Sequence, residues 1–314
     1  MIRNKLRAFA KKHVRFLWYI KDRKNDEKLL QVHAAHKKMT LDERINFVSS
    51  RYEKRVGKPL NLDNPTDYTE KIQWRKLFEQ DSRMQKYTDK VQVREWVKEK
   101  IGSEYLIPVL GIYDSFDEIP FEELPDRFVL KTNHAAGWNM IVTNKKKFDK
   151  KYAKRKFDMW LSLDYAYIEA FEMHYSGIKP KIICEEYIED ETGALRDYKF
   201  LCFGGKPYYC WVDSERFENH TRNIYDLEWN LQPWRQKLDN YREPIPKPKN
   251  FDKMVEIAGV LCAEFEHIRI DLYNVDGKIY FGETTFTNGS GYDPIIPDSF
   301  DRVLGDMWNL SVDI

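Results

Sequence analysis

Cysteine is scarce in this chain. The four present, Cys184, Cys202, Cys210 and Cys262, form no C-x-x-C pair, and no histidine stands beside them at zinc-ligand spacing. Neither a disulfide framework nor a structural zinc site is expected, and free buried thiols in a reducing compartment are the plainer reading. No apolar run is long enough to cross a bilayer. The N-terminus has no apolar stretch followed by a small-residue cleavage site, so the expected location is the cytoplasm. An excess of one charge is also missing: 52 Lys and Arg face 51 Asp and Glu, without the basic surplus usual in a nucleic-acid binder. There is no internal repeat, no low-complexity tract and no Gly/Ser linker. G-x-x-x-x-G-K-[ST] is absent, which excludes a P-loop. D-x-D is absent too, which weakens a sugar-nucleotide transferase reading.

What is present is a chain of 314 residues, 42% apolar and 15% aromatic, enough for a sizeable core. Charge is uneven at the start. Residues 1–24 carry Arg3, Lys5, Arg7, Lys11, Lys12, Arg15, Lys21, Arg23 and Lys24 against Asp22 alone. Leu6, Ala10, Val14, Leu17 and Trp18 cluster on one side at helical spacing. Such a helix either lies on an anionic membrane surface or packs on its own domain with a basic outer face. Residues 1–88 read as helical, broken near Gly57-Lys58-Pro59 and Asn64-Pro65. Another helix is expected from about Asp89 through Trp96, ending at Gly102. Strands are expected at 106–113, 128–131, 140–143, 182–185, 198–203, 207–212, 268–273 and 279–283, with helices over 148–175 and 251–267. Strands and helices without strict alternation argue for an α+β fold.

Four stretches carry chemistry. Asp89-Lys90 opens a helix, where Asp89 caps and a first-turn cation opposes the helix dipole unless a phosphate is near. Lys131 ends Phe-Val-Leu-Lys before the small-residue loop containing His134 and Gly137, a shape that folds over phosphates or is simply a hairpin. Ile182-Ile-Cys-Glu-Glu-Tyr-Ile188 ends in a connection able to meet a purine edge, with Glu185 or Glu186 accepting from an amine or hydroxyl. The last is the hairpin His267 to Glu283, turning at Asp276-Gly277. A two-residue loop puts Asp271 and Glu283 on opposite faces. A three-residue loop, Val275-Asp-Gly277, puts them on one face with Arg269 and Thr285, and this is the expectation. Two carboxylates and a guanidinium so placed suit magnesium bridged to phosphates, or an ordinary cross-strand ion pair.

In this order the four stretches resemble an ATP-grasp enzyme. More narrowly, they resemble the TupA-like branch linked to teichuronopeptide and other surface-polysaccharide synthesis. The narrower likeness rests on Pro65-Thr-Asp-Tyr-Thr-Glu-Lys-Ile-Gln-Trp74, Asp89-Lys-Val-Gln-Val-Arg94, Ile101 to Leu110, Asp197-Tyr-Lys-Phe-Leu-Cys-Phe-Gly-Gly-Lys206 and Gly282-Glu-Thr-Thr-Phe286. It covers roughly residues 40 to 310 and implies an ATP-grasp-like α+β fold: two subdomains, 89–181 and 182–314, clamping ATP behind a helical region 1–88. It further implies Lys90 and Lys131 on ATP phosphates beneath the loop 133–139 with His134 and Gly137. Glu185, Glu186, Tyr187 and Ile188 would line the adenine and ribose pocket. Asp271, Glu283 and Thr285 would take Mg2+, with Lys199 near phosphate or substrate and Arg269 and Lys131 stabilising charge. Thr285 stands where the family pattern has Asn, and Asn288 is out of register. The helical start departs from the usual Rossmann-like domain, so a substrate-binding wall is missing or rebuilt. The expected activity is carboxylate–amine ligation through an acyl phosphate. Its partners would be an amine and a uronic or amino acid of a bacterial surface glycan, with residues 1–24 available to an inner membrane face and no nucleic acid involved. A glycosyltransferase is the alternative. A glycan-binding protein using Trp211, Trp229 and Trp234 is a third reading, with core packing the better account of those rings.

Overall fold

The structure, a computed structural model, describes residues 2–79, 81–168, 170–191, 195–214, 221–241 and 245–310, with side chains from Tyr19 onward, Ser214 excepted. The helices are α1 (Ile2–His36), α2 (Leu41–Val56), α3 (Tyr68–Phe78), α4 (Ser82–Thr88), α5 (Val93–Ile101), α6 (Lys150–Leu161), α7 (Phe251–Cys262) and α8 (Ser299–Asp306). The strands are β1 (Val109–Tyr113), β2 (Phe128–Thr132), β3 (Asn139–Val142), β4 (Ile182–Glu186), β5 (Asp197–Phe203), β6 (Lys206–Ser214), β7 (Thr221–Asp226), β8 (Arg235–Gln236), β9 (His267–Val275), β10 (Lys278–Thr285) and β11 (Ile295–Ile296). Local chemistry sets several of these ends. Thr40 and Glu43 cap α2 reciprocally, and Gly57 closes it in the left-handed region. Glu70 accepts from the backbone N–H groups of Thr66 and Asp67 and so fixes the start of α3.

Two sheets dominate, in the strand orders β1-β4-β2-β3 and β10-β9-β5-β6-β7. The architecture is α+β, as expected. By hydrogen bonding β4 belongs with β1 and β2. The helix expected over 148–175 stops at Leu161 and gives way to single 3-10 turns, and α7 ends at Cys262 rather than 267. Strand β7 is a strand the sequence reading omits: Arg222 and Asn223 make it look polar, yet both are buried, Arg222 against Asp213 and Asn223 bonded to the Tyr241 N–H and the Tyr225 hydroxyl.

The five-stranded sheet has two unlike faces. Ile268, Ile270, Leu272, Phe200 and Val212 pack with α5 and α7 in the largest core cluster. The opposite face is divided. One half carries Leu201, Phe203, Trp211 and Ile224 and is covered by α3 and α8 through Tyr68, Ile72, Leu304 and Trp308. The other half carries charge and stays uncovered by that cluster. The region 1–88 is therefore no appendage, because α3 supplies part of the sheet's cover.

The β9–β10 hairpin corrects the expected loop. Val275 pairs with Lys278, leaving the two-residue turn Asp276-Gly277 with both φ values positive, 54° and 102°. On a regular ladder this would separate Asp271 from Glu283. A bulge at Gly282 shifts the register between Phe281 and Glu283, so Glu283 pairs with Asp271 and Thr285 with Arg269. The shared face arises from the bulge, not from the loop.

Two stability predictions follow from this packing. A Cβ on Gly305 would stand 2.0 Å from the Thr66 carbonyl and 2.9 Å from the Tyr68 nitrogen, backbone that Glu70 pins. Alanine gains about 1 kcal/mol of helix propensity, but the overlap outweighs it, and Gly305→Ala should cost about 1–3 kcal/mol by chemical denaturation. The histidines His134, His174 and His267 resist protonation because burial disfavours the charged ring, His174 down to about 3. Below pH 6.5 the unfolded chain binds protons that the folded chain refuses. Stability should therefore fall as pH drops from 7 to 5, by up to about 1.4 kcal/mol per unit for each such ring. A flat denaturation midpoint over that range would contradict the assignment.

Candidate active site

Asp89 organises one wall of the cleft. Its carboxylate accepts from Val91 N–H at 2.9 Å, Gln92 Nε2 at 2.7 Å and Asn133 Nδ2 at 2.9 Å. Asn133 in turn donates to the Lys179 carbonyl at 3.0 Å and accepts from Lys181 N–H at 2.6 Å. The turn after α4 and the loop after β2 are thereby tied together. The helix begins at Val93, so Lys90 lies in the turn before it and not in its first turn. Lys90 N–H donates to the Asn133 carbonyl and its Nζ to the Ala135 carbonyl at 2.7 Å.

Lys131, at the end of β2, places Nζ 2.5 Å from Glu185 Oε2. Arg94 approaches the same carboxylate at 3.4 Å while donating to the Ile107 carbonyl at 2.7 Å. Lys90, Arg94, Lys131, Glu185 and Glu283 line one cleft together with Val93 and Phe281. Burial lowers the Lys90 pKa and Lys131 lowers it further, against the opposing pull of Glu283. The cleft is thus short of negative charge on the Lys90 side. The face of β1–β4 that carries Lys131 and Glu185 also carries Val129, Ile183, Ile112 and Ile141, the last two 42% and 51% exposed. Apolar surface and cations lie on the same side of the sheet.

The charged half of the five-stranded sheet adjoins this cleft. Arg269 grips Asp271 with two hydrogen bonds of 2.7 Å, and Lys199 donates to the same carboxylate at 2.9 Å and also to Asp197. Burial alone would raise the Asp271 pKa; Arg269 and Lys199 overcome that and hold it below the ordinary value. Arg222 donates to Asp213 at 2.6 and 3.0 Å. Gln236 accepts from Arg222 at 3.3 Å and from Asn288 at 3.0 Å, and Asn288 accepts from Arg269. Glu283, paired with Asp271 across the strands, stands 3.6 Å from Arg269 and keeps 37% of its side chain exposed.

Among the described residues no group of three or more His, Cys, Asp and Glu is placed to hold a metal. Asp271 and Glu283 present hard oxygen donors on one face, but both Asp271 oxygens already accept from Arg269 or Lys199 and its side chain is 2% exposed, so of the two it is Glu283 that stands open to the cleft. Thr285 lies one pair further along, opposite Arg269, and the Asn288 amide is taken by Arg269 and Gln236. His134 turns inward: it is buried, donates through Nε2 to the Trp160 carbonyl at 3.2 Å, and does not line the cleft. Gly137, at φ 72°, sits at an open loop tip. Glu186 is exposed at the end of β4, and Arg127 covers the Tyr187 ring at 4.4 Å, with Ile188 half-buried beyond. The sequence reading did not assign Arg94 or Asn133 to the site, though Arg94 closes one of the quoted motifs. All four cysteines are free and buried, and Trp211 and Trp234 are core residues, as expected.

No curated protein matches the chain. Solved structures resembling it include the D-alanine–D-alanine ligase of Bacillus anthracis complexed with ATP, at 16% identity and TM-score 0.38, over 64% of this chain and 53% of that one. The D-alanine–D-alanine ligase of Helicobacter pylori matches at 14% and 0.38, over 71% and 61%. The phosphoribosylamine–glycine ligase of Thermotoga maritima matches at 10% and 0.43, over 73% and 57%. This chain spans less than two thirds of the length of those proteins. The family model described as TupA-like ATPgrasp matches residues 70–309, from α3 through α8 and across both sheets, and the chain belongs to that family.

Proposed function

We propose that the protein is an ATP-dependent carboxylate–amine ligase. The observation that carries this is convergence: Lys90, Lys131, Glu185 and Glu283, from four separate stretches, line one cleft beside the Arg269–Asp271 pair. Lys90 and Lys131 bind the ATP phosphates, with Arg94 a third cation at the same mouth. Glu185 holds Lys131 and Arg94 in place until the nucleotide arrives. The apolar side chains Ile112, Val129, Ile141 and Ile183 wall the base, and Glu186 to Ile188 meet its edge. Glu283, and Asp271 on giving up its bond to Lys199, would hold Mg2+, which would offset phosphate charge. The acceptor carboxylate oxygen attacks the γ-phosphorus and ADP leaves; the amine nitrogen then attacks the acyl carbon, phosphate leaves, and the nitrogen loses a proton to solvent. Arg269, fixed by Asp271 and Asn288, faces the charge that develops on the acyl oxygens, and Lys199 the phosphate or substrate.

The acceptor we assign is a uronic or amino acid of a bacterial surface glycan, on the strength of the family. A lipid-carried glycan would be met at the inner face of a membrane. No helix among the described residues is long and apolar enough to cross one, and the basic residues 1–24 supply a surface contact. Side chains 2–18, which include the apolar stripe, lie outside the described residues.

Incubation with ATP, magnesium, glycan precursor and amine should release ADP; UDP release from a sugar nucleotide without ADP would establish the glycosyltransferase instead. Lys131→Ala removes charge-assisted bonds of about 1.5–3 kcal/mol and should weaken ATP binding about tenfold or more by calorimetry. Unchanged affinity would remove Lys131 from the phosphate site. Glu283→Gln should abolish magnesium-dependent ATP turnover. A Cβ at Gly282 would meet the Asp271 carbonyl at 3.0 Å. Gly282→Val should therefore displace Glu283 and lower kcat by about a hundredfold, the usual scale for a 1 Å misplacement, with the circular dichroism spectrum retained.

A further inference from the structure

The contact surface assigned to residues 1–24 has a structural neighbour. Long side chains join α1 to α6, in the same chain order along both. Asp22 meets Tyr152, Arg155 and Lys156, Asp26 meets Arg155 and Lys156, and His33 further along accepts from Asp164 N–H. The start of α6, with Lys145–Lys147 just before it, thus lies toward the N-terminal end of α1. This packing also sorts charge. Of the acids in residues 19–28, Asp22 and Asp26 are consumed inward by α6, and Glu27 alone is left outside. Lys21, Arg23, Lys24 and Lys28 are exposed and have no acidic partner among the described residues. On the α6 side, Lys150 and Lys154 pair with Glu122, Asp117 and Asp158. Lys146, Lys147 and Lys151 are exposed without such partners, and Asp149 is spent capping α6. Ile20, 38% exposed, stands among the cations.

We infer that the membrane-docking surface is a composite of α1 and the start of α6, in which Lys146, Lys147 and Lys151 extend the exposed cations Lys21, Arg23, Lys24 and Lys28 onto the nucleotide-binding body. The occupant is an anionic bilayer: exposed long cations on two elements, with an exposed aliphatic side chain at Ile20, fit a sheet of negative headgroups. The inference rests on the membrane reading of residues 1–24. Its consequence is orientational, because contact through two helices of one body fixes how the cleft faces the surface, whereas a single arm would leave it free.

The test uses the full chain and vesicles of phosphatidylglycerol with phosphatidylcholine, against phosphatidylcholine alone, at low and high salt. The unmodified protein should sediment with the anionic vesicles only, and salt should release it. Lys146→Gln, Lys147→Gln and Lys151→Gln combined should weaken that binding about tenfold or more, and ATP turnover in solution should not change. Combined Lys21→Gln, Arg23→Gln and Lys24→Gln should do the same. If the α6 variant binds as tightly as the unmodified chain, the composite face is wrong while contact through residues 1–24 stands. If the unmodified chain ignores anionic vesicles, or binds soluble polyphosphate but not vesicles, the membrane reading falls and the composite face with it.

Discussion

A carboxylate nearly removed from water stays ionised only where cations stand against it, and Asp271 has two. Arg269 and Lys199 approach from its own strand and from the neighbouring strand. The pattern extends across the sheet: Asp197, Asp213 and Asp271 face Lys199, Arg222 and Arg269, three charges of each sign on four adjacent strands. Removing one member would leave its partner buried and uncompensated, which costs several kcal/mol. The carboxylate this balanced set does not neutralise is Glu283, half-exposed at the cleft. Opposite it, Lys90, Arg94 and Lys131 share Glu185 among them. On the proposed reading, the triphosphate would meet these cations and its magnesium would meet Glu283.

The helical start of the chain supports this arrangement from beneath. Tyr68 on α3 packs on Trp308 and shares a hydrogen bond with His267. Gln73 donates to the carbonyls of Ser290 and Gly291, and Lys76 donates to Ser290 while lying over the Tyr292 ring. The turn that delivers Asn288 to Arg269 is thus held by α3. Helix α3 and the 288–292 turn thus form one packed unit beside the charged sheet face.

Much of this was legible in the residues. Lysines at strand and helix ends, an Asp-x-x hairpin with a Gly-Glu partner strand, and buried single cysteines are local patterns, and Lys90, Lys131, Glu185 and Glu283 do meet. What was not legible depends on tertiary pairing. A bulge at Gly282 leaves no mark that distinguishes it from a longer turn at Asp276-Gly277, so the right face was expected for the wrong reason. His134 looked like a phosphate-loop residue, yet nothing in its spacing reveals that Trp160 would draw it into the core. Arg94 reads as an exposed helix cation until α5 is set against β4. Arg222 and Gln236 are far apart in sequence from Arg269; the sheet order brings in Arg222, and Asn288 links Gln236 to Arg269.

The most direct test is a crystal structure with a non-hydrolysable ATP analogue and magnesium. The account predicts the triphosphate between Lys90 and Lys131, Lys131 released from Glu185, and magnesium bonded to Asp271 and Glu283. A nucleotide bound elsewhere, or magnesium seated on the phosphates without either carboxylate, would contradict it.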